Sequence, residues 1–433
     1  MIIAKPIYAF KKAYMQITNS IAFYPVMIAL GLLSLSWFAT YLDKTSVGGS
    51  LIEKVPFLKI DNANTARSLL SSLLTGLITL VTFTFAMVMI VLSQVTTSFS
   101  PRLLPDLVSK RGSQVVLGTI IGAISCNIVV LSNIQTLPSG PEVPLLSVVL
   151  CMLLGFASLI SFIYFIHKIS NEIQIGNIIN NIYRNTRDVL DRELNSGSYH
   201  EKWEEEEEFY TVKAWDSGYF DTVTTDDIMR RSKKMGLKVR FLKDQGMYLL
   251  KGDPFIEINR PMNDKILELL KENVILRHQE KVVDNFIYGF KHLTEIAVKA
   301  LSPGVNDPGT AIQAIDYLMD LLCRLQELSG RLKVVQRKDG TACLIYGPIP
   351  FEKIFYMCTA SIRAYSTKDV AVQTRLIDLL SKISERDEQD KHKQLLEKEL
   401  NSIEEASLKD MKAKEDKEYL ETILQNARRE HIS

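Results

Sequence analysis

Residues 69–99 read LLSSLLTGLITLVTFTFAMVMIVLSQVTTSF, a run without Asp, Glu, Lys, Arg or His. A helix rises about 1.5 Å per residue, so a run of this length exceeds the roughly 30 Å of hydrocarbon in a bilayer. The run therefore predicts a membrane-spanning helix, and it decides the class of the whole chain.

Three further uncharged segments are also long enough to cross a membrane: 21–42, 115–137 and 144–166. The first of them has Phe23 and Tyr24 near one end and Trp37 and Tyr41 near the other. Aromatic side chains at both ends are typical of interfacial anchoring. The sequence thus predicts four transmembrane helices, which we number spans one to four.

The basic residues outside the spans indicate how the chain is oriented. Cytoplasmic loops of membrane proteins carry an excess of lysine and arginine. Such residues precede span one, separate spans two and three, and follow span four: Lys5, Lys11, Lys12, Arg102, Lys110, Arg111, Lys168, Arg184 and Arg187. The loop between spans three and four carries Glu142 and no base, whereas the loop between spans one and two mixes bases with acids. The predicted location is a bacterial cell (inner) membrane, with both termini cytoplasmic.

The remainder of the chain is charged and predicts a soluble α+β domain. Helical spacing continues after span four, so residues 1–194 are predicted as a transmembrane domain with a helical extension. Short strand-like runs separated by glycines predict a small β-barrel or sandwich over 195–260. Residues 261–383 are predicted to be mainly helical with one hairpin turning at Asp339-Gly340, and 384–433 to be a charged helical tail. The predicted fold class is an α-helical membrane protein with an α+β cytoplasmic domain.

Residues 278–318 read HQEKVVDNFIYGFKHLTEIAVKALSPGVNDPGTAIQAIDYL. Together with Ser217–Tyr219 and Phe99–Leu104, they closely resemble the bacterial family of predicted membrane proteins catalogued as domain of unknown function 2254. The resemblance covers nearly the whole chain, and its most specific stretch is Ala300–Pro308. It implies several spans and a cytoplasmic domain, and it implies no catalytic residues.

The composition and the motifs disfavour several classes of function. The net charge is +1 and no basic stripe with interleaved aromatics occurs, so nucleic acid is not an expected partner. The five cysteines lack CxxC spacing and the six histidines lack ligand spacing, so no metal or cofactor is expected. Neither a GxxxxGK(S/T) nor a GxSxG motif occurs, and we expect no enzymatic activity. The predicted spans hold no ionisable acid or base, which disfavours ion-coupled carriers and intramembrane hydrolases.

Span two carries a stripe of small and polar side chains at alternating steps of three and four residues. This spacing places them on one helix face: Ser68, Ser72, Thr75, Thr79, Thr82, Ala86, Met89, Ser93 and Thr97. Such a face could line a water-filled pore, with Ala86 and Met89 as an apolar constriction. It could equally pack against other helices, where hydroxyls and small residues are enriched.

Small residues also recur in spans three and four, where they indicate close helix packing. Gly118 and Gly122 form a GxxxG pattern, and Asn127 near the middle of the membrane requires a hydrogen-bond partner. Beyond span two, Arg102, Lys110 and Arg111 would form a cationic ring at the cytoplasmic mouth of a pore. The alternative is that these three residues only determine the orientation.

The segment Ser302–Thr310 predicts a junction between two helices. Pro308 suits a first helical position, and Asp307 suits the cap before it. The alternative is that Asn306 and Asp307 bind an ion or another ligand.

The preferred functional hypothesis is an oligomeric ion-conducting pore, because one polar stripe per subunit encloses a pore only in a symmetric assembly. Its partners would be the lipid bilayer, further copies of the chain and inorganic ions. The alternatives are a non-conducting scaffold or signalling protein that recruits a partner, and a carrier of small solutes.

Overall fold

The computed structural model describes residues 23–45, 62–98, 111–137, 140–172, 174–202, 208–233, 235–277, 285–337 and 342–432. The chain divides into two compact units, Met1–Gln174 and Ile175–Ser433. The first unit contains the predicted spans, and the second contains the charged remainder.

The described part of the first unit contains four long helices. Spans one to four are α1 (Phe23–Asp43), α2 (Ala63–Ser98), α3 (Arg111–Asn133) and α4 (Leu145–Glu172). All four are long and apolar enough to cross a membrane, so the predicted number of candidate spans is confirmed. The helices extend beyond the apolar runs, and Arg67 and Lys168 therefore lie within the end turns of spans two and four. Long basic side chains at such positions can reach the membrane surface.

Like span four, span three packs against each of the other three helices. Its contact with span one depends on glycine. A Cβ atom added at Gly118 would lie 2.9 Å from Cα of Pro25, and one added at Gly122 would lie 2.5 Å from Cδ1 of Leu32. Helix backbones approach this closely where small residues meet. The predicted packing role of these two glycines is confirmed.

A short hairpin joins spans three and four. Strand β1 (Gln135–Leu137) pairs antiparallel with β2 (Gly140–Glu142), with Gln135 opposite Glu142. The sequence predicts only a short loop here, whereas the structure pairs the residues on both sides of it as two antiparallel strands.

The second unit opens with α5 (Ile175–Leu194), a helix separate from span four. The sequence predicts that the helix of span four extends to about Leu194, whereas the structure has two helices, Leu145–Glu172 and Ile175–Leu194. The apolar face of α5 buries Ile178, Ile179 and Ile182 within the second unit, which explains why the helical pattern continues after the break.

Eight further α-helices of the second unit are described, followed by a π-helical turn at Arg428–Ile432. They are α6 (Thr225–Lys233), α7 (Asp264–Asn273), α8 (Phe286–Ala300), α9 (Pro308–Gln326), α10 (Phe351–Tyr365), α11 (Val370–Glu385), α12 (Lys393–Asp410) and α13 (Lys414–Ala427). The strands are β3 (Tyr199–His200), β4 (Tyr210–Lys213), β5 (Gly218–Val223), β6 (Val239–Phe241), β7 (Tyr248–Leu249), β8 (Pro254–Ile258), β9 (Val274–Arg277), β10 (Leu332–Gln336) and β11 (Ala342–Pro348).

These strands form two open sheets. The larger has the order β3-β10-β11-β6-β8-β4, and the smaller has the order β7-β5-β9. Strands β11 and β6 run parallel, and the remaining pairs are antiparallel. The α+β class is confirmed. The predicted small barrel or sandwich is not, because the strands of the described ranges do not close on themselves.

The predicted hairpin is present and supplies two neighbouring interior strands of the larger sheet. Strands β10 and β11 pair with Val334 opposite Ile345, while the predicted turn at Asp339-Gly340 lies outside the described residues. Strand β11 also pairs with β6, so the hairpin belongs to the same sheet as β6, β8 and β4. Phe220, Phe241 and Phe255 contact one another in the core beneath it.

Candidate functional site

The described side chains of the span-two stripe lie on the exposed face of that helix. They are Ser68, Ser72, Thr75, Thr79, Thr82, Ala86, Met89 and Ser93. Thr97 belongs to the same helix, but its side chain lies outside the described part of the structure. Within the described residues, the stripe therefore contributes no buried side chain to the four-helix unit.

The opposite face of span two provides its packing surface. Ala66, Leu70, Leu77 and Thr84 are buried, and the helix contacts spans three and four. At about 3.6 residues per turn, these positions lie about half a turn from the stripe. The two faces are thus distinct: one is packed, mainly through apolar side chains, and the other carries the stripe of hydroxyl groups and is open.

The threonine hydroxyl groups of the stripe bond within their own helix. Thr75 donates to the carbonyl oxygen of Ser71 at 2.9 Å, Thr79 to that of Thr75 at 2.9 Å, and Thr82 to that of Ile78 at 3.0 Å. Each hydroxyl oxygen still has lone pairs that can accept a hydrogen bond. The face can therefore contact water, and it can also contact lipid without an unpaired hydroxyl proton.

An apolar band interrupts the stripe between Thr82 and Ser93. Besides Ala86 and Met89 it includes Ile90, which sequence reasoning missed. Met89 is 61% exposed and Ile90 is 64% exposed. Ile90 follows Ala86 by four residues and so shares its helix face, a spacing that is visible in the sequence. A narrow ring of such side chains would exclude water.

Two charged residues near helix ends, Asp43 and Arg67, form hydrogen bonds at one end of the bundle. Asp43, the last residue of span one, accepts hydrogen bonds from the Leu146 amide at 2.8 Å, the Ser147 amide at 2.9 Å and the Ser147 hydroxyl at 2.6 Å. A carboxylate in this position caps span four and is favoured by its helix dipole. Arg67 of span two donates to the carbonyl oxygen of Ile134 at 2.8 Å. These bonds join span one to span four, and span two to the C-terminal end of span three.

Span two also contacts span four closely at Gly155. A Cβ atom added there would lie 2.6 Å from Cδ1 of Leu73. An apolar pocket of about 220 Å³ lies beside this contact and is lined by Leu69, Leu73, Met152, Gly155, Phe156 and Leu159. Its lining suits an acyl chain or an apolar side chain and offers nothing to a polar ligand.

Asn127 of span three is fully buried, and only one of its two polar side-chain atoms has a hydrogen-bond partner among the described residues. Its Nδ2 donates to the carbonyl oxygen of Ala123 at 3.0 Å. Its Oδ1 has no hydrogen-bond partner among the described residues. The partner that we expected for this amide is therefore found for one of its two polar atoms.

The proposed cationic mouth is not described. Arg102 and Lys110 lie outside the described residues, and Arg111 is the first residue of span three. The ring of positive charge at the cytoplasmic end stays a prediction.

In the second unit, Asp307 caps α9. Its Oδ1 accepts a hydrogen bond from the Thr310 amide at 3.1 Å, and its Oδ2 accepts one from the Thr310 hydroxyl at 2.6 Å. Pro308 occupies the first turn of the helix, and Asn306 has a positive φ of 49°. This geometry gives Asp307 a structural role, and ligand binding at Asn306 or Asp307 stays a prediction.

Asp307→Ala is expected to lower the free energy of unfolding by about 1 kcal/mol, the usual effect of losing a cap. The hydrogen bonds from Thr310 hold the pKa of Asp307 below its ordinary value of 3.8. The stabilisation that the ionised Asp307 cap gives to the folded protein is therefore fully present above about pH 4, and it is lost as the pH falls through the lowered pKa. Thermal unfolding of both proteins at neutral pH measures the effect. An unchanged midpoint would contradict a capping role, and Gly304→Ala in the same loop is the control.

Within the described ranges, no group of three His, Cys, Asp or Glu side chains is placed to hold a metal ion. All five cysteines are free and buried.

Comparisons with known proteins agree with this architecture. A family model described as "Predicted membrane protein (DUF2254)" matches residues 18–382. The chain is also similar to proteins of Mycobacterium bovis and of two strains of Mycobacterium tuberculosis, each named only as uncharacterized. Each of these relatives is 26% identical over 355 residues, which is 78% of this chain and 67% of the relative. No solved structure gives a significant match.

Proposed function

Because the chain belongs to the DUF2254 family of predicted membrane proteins, we propose that it acts in a membrane. We propose specifically that the protein is an oligomeric ion-conducting pore lined by span two. The soluble unit would regulate the pore or hold its subunits together. Inorganic ions would be the conducted species, and a bacterial inner membrane the location.

One observation carries this proposal. The hydroxyl-bearing face of span two is exposed over its described length, while the other face of the same helix forms the packing surface. Packing within one subunit therefore does not explain the stripe. Packing between subunits does, and so does contact with water along a shared axis.

The proposal requires several copies of the chain. One exposed stripe per subunit encloses a channel only when equivalent helices surround a symmetry axis. In such a ring of helices, Ala86, Met89 and Ile90 would form the narrowest part of the channel and would exclude water there. Hydroxyl groups of the stripe would lie above and below this constriction.

Cysteine accessibility tests whether the stripe faces water. Thr82→Cys is expected to react with a small water-soluble thiol reagent in reconstituted bilayers. Thr84→Cys is a matched control, because Thr84 lies two residues away on the same helix, also bonds to its own backbone, and is buried. Cys126 and Cys151 are replaced first to remove their background.

A second control separates water from lipid. Ile160 of span four is 68% exposed and lies among other exposed apolar side chains, Phe156 and Ile163, so Ile160→Cys would be open in the subunit but is expected to face lipid. It is expected to be protected from the charged reagent. If Thr82→Cys were as protected as Ile160→Cys, the pore would be excluded.

The distribution of basic residues outside the spans predicts that both termini are cytoplasmic. A reporter active only in the cytoplasm should therefore work when fused at Ser433. A reporter active only outside should work near Ser139. The reverse pattern would place the basic loops outside and contradict the orientation.

The alternative is a non-conducting scaffold or signalling protein. It is favoured by the hydroxyl bonds within the helix, because a threonine that bonds to its own backbone tolerates lipid. Under that hypothesis the stripe would mediate contact between subunits without a water-filled axis, and the soluble unit would recruit a partner.

A further inference from the structure

The C-terminal helical segment, residues 386–432, packs onto the part of the second unit that the family model covers. Helices α12 and α13 lie against α10 and α11 and bury apolar side chains: Leu396, Leu400, Ile403, Leu420 and Leu424. An ion pair joins Arg363 of α10 to Glu399 of α12 at 2.9 Å. The family match ends at residue 382, so this segment lies beyond it.

His392 stands where the C-terminal helical segment first contacts α10. Its side chain is buried, and its ring lies 4.3 Å from the ring of Phe351, measured between centroids. Neither ring nitrogen has a hydrogen-bond partner among the residues that the structure describes. Buried polar atoms normally have partners, and an exception calls for an explanation.

The surroundings of His392 favour the neutral ring. The residue directly precedes α12, so a positive charge would lie at the positive end of that helix dipole. Burial lowers the pKa of His392, and Lys391 acts in the same direction. Asp387 and Glu352 act in the opposite direction, but burial is the largest effect.

We propose that His392 is a pH-dependent latch for the C-terminal helical segment. The neutral ring seats the segment against α10 through its contact with Phe351. Protonation makes that buried position unfavourable and releases the segment. This proposal does not depend on pore activity.

The sign of the effect follows from proton linkage. In the released segment His392 takes up a proton near the ordinary histidine pKa of about 6.5. In the docked segment it takes up the proton only at lower pH. Acid therefore favours release, and the ratio of released to docked protein rises by up to about tenfold per pH unit below 6.5, until the docked ring also titrates.

Distance measurements between two spin labels on the full-length protein test the latch. Ala364 on α10 and Glu405 on α12 are both exposed and suit the labels. We expect one narrow distance distribution at pH 7.5 and an added longer component at pH 5.5. A distribution that stays the same at both pH values would overturn the proposal.

Variants distinguish His392 from other acid effects, such as protonation of Glu399. His392→Phe keeps an aromatic ring against Phe351 and cannot take up a proton, so its distribution should stay narrow at both pH values. His392→Gln serves the same purpose if the larger ring disturbs folding. His200→Phe, in strand β3, should still open in acid. Acid release that persists in His392→Phe and His392→Gln would show that another group is responsible and would overturn the latch.

Discussion

Met89→Ser is expected to raise the basal conductance of reconstituted protein. Met89 is 61% exposed and lies in the apolar band that separates Thr82 from Ser93. If copies of span two surround an axis, a narrow apolar ring at this level excludes water and blocks ions. A hydroxyl group there would wet the ring. Single-channel recordings in planar bilayers would show larger or longer openings than those of the wild type.

The control for Met89→Ser changes an equally open side chain on another helix. Ile160→Ser introduces the same hydroxyl on span four, at a position that is 68% exposed. It should leave the conductance unchanged. Leu80→Ser, on span two but away from the stripe, should leave it unchanged as well. If Met89→Ser, Ile90→Ser and the wild type all fail to conduct, the scaffold hypothesis replaces the pore.

Gly118→Val is expected to destabilise the membrane unit strongly. A Cβ atom at this position would lie 2.9 Å from Cα of Pro25 and 3.0 Å from Cβ of Ile28. The first of these atoms is backbone, so relief requires span one to move away from span three. Overpacking of this kind costs about 1–3 kcal/mol and sometimes more. The thermal midpoint of the protein in detergent should fall clearly, with loss of monodisperse protein.

Gly31→Val is the matched control, because no atom lies within 4 Å of a Cβ added at Gly31. Both glycines lie in membrane-spanning helices, so the two variants differ mainly in the space available. Gly31→Val should therefore unfold near the wild-type temperature. Equal midpoints for the two variants would contradict the close contact between spans one and three.

The two predictions address different properties of the membrane unit. The Gly118 prediction tests how the four helices pack together. This packing depends on close backbone contact and on the hydrogen bonds that Asp43 and Arg67 make at one end of the bundle. The Met89 prediction tests the exposed face of span two, which contributes no buried side chain to the contacts with spans three and four that the structure describes. A variant that weakens the helix packing would disturb conduction indirectly, so stability must be measured for each channel variant.

The sequence by itself determined the four spans and the two faces of span two. Both follow from local physics: an uncharged run of sufficient length must cross the bilayer as a helix, and steps of three and four place residues on one face. The cap at Asp307 also follows from neighbouring residues. The sequence did not determine which face of span two is packed, because hydroxyls and small residues suit helix contacts and water equally well.

Only the tertiary structure decided that the stripe is the open face, since this depends on where spans three and four lie. The same holds for the larger sheet, in which β6 pairs with β11 although about a hundred residues separate them. Local spacing carries no information about such a pairing, so strands between residues 210 and 258 were predicted as a separate barrel or sandwich. Asp43 was missed for the same reason: its partners, Leu146 and Ser147, are distant in sequence and become neighbours only when spans one and four pack together.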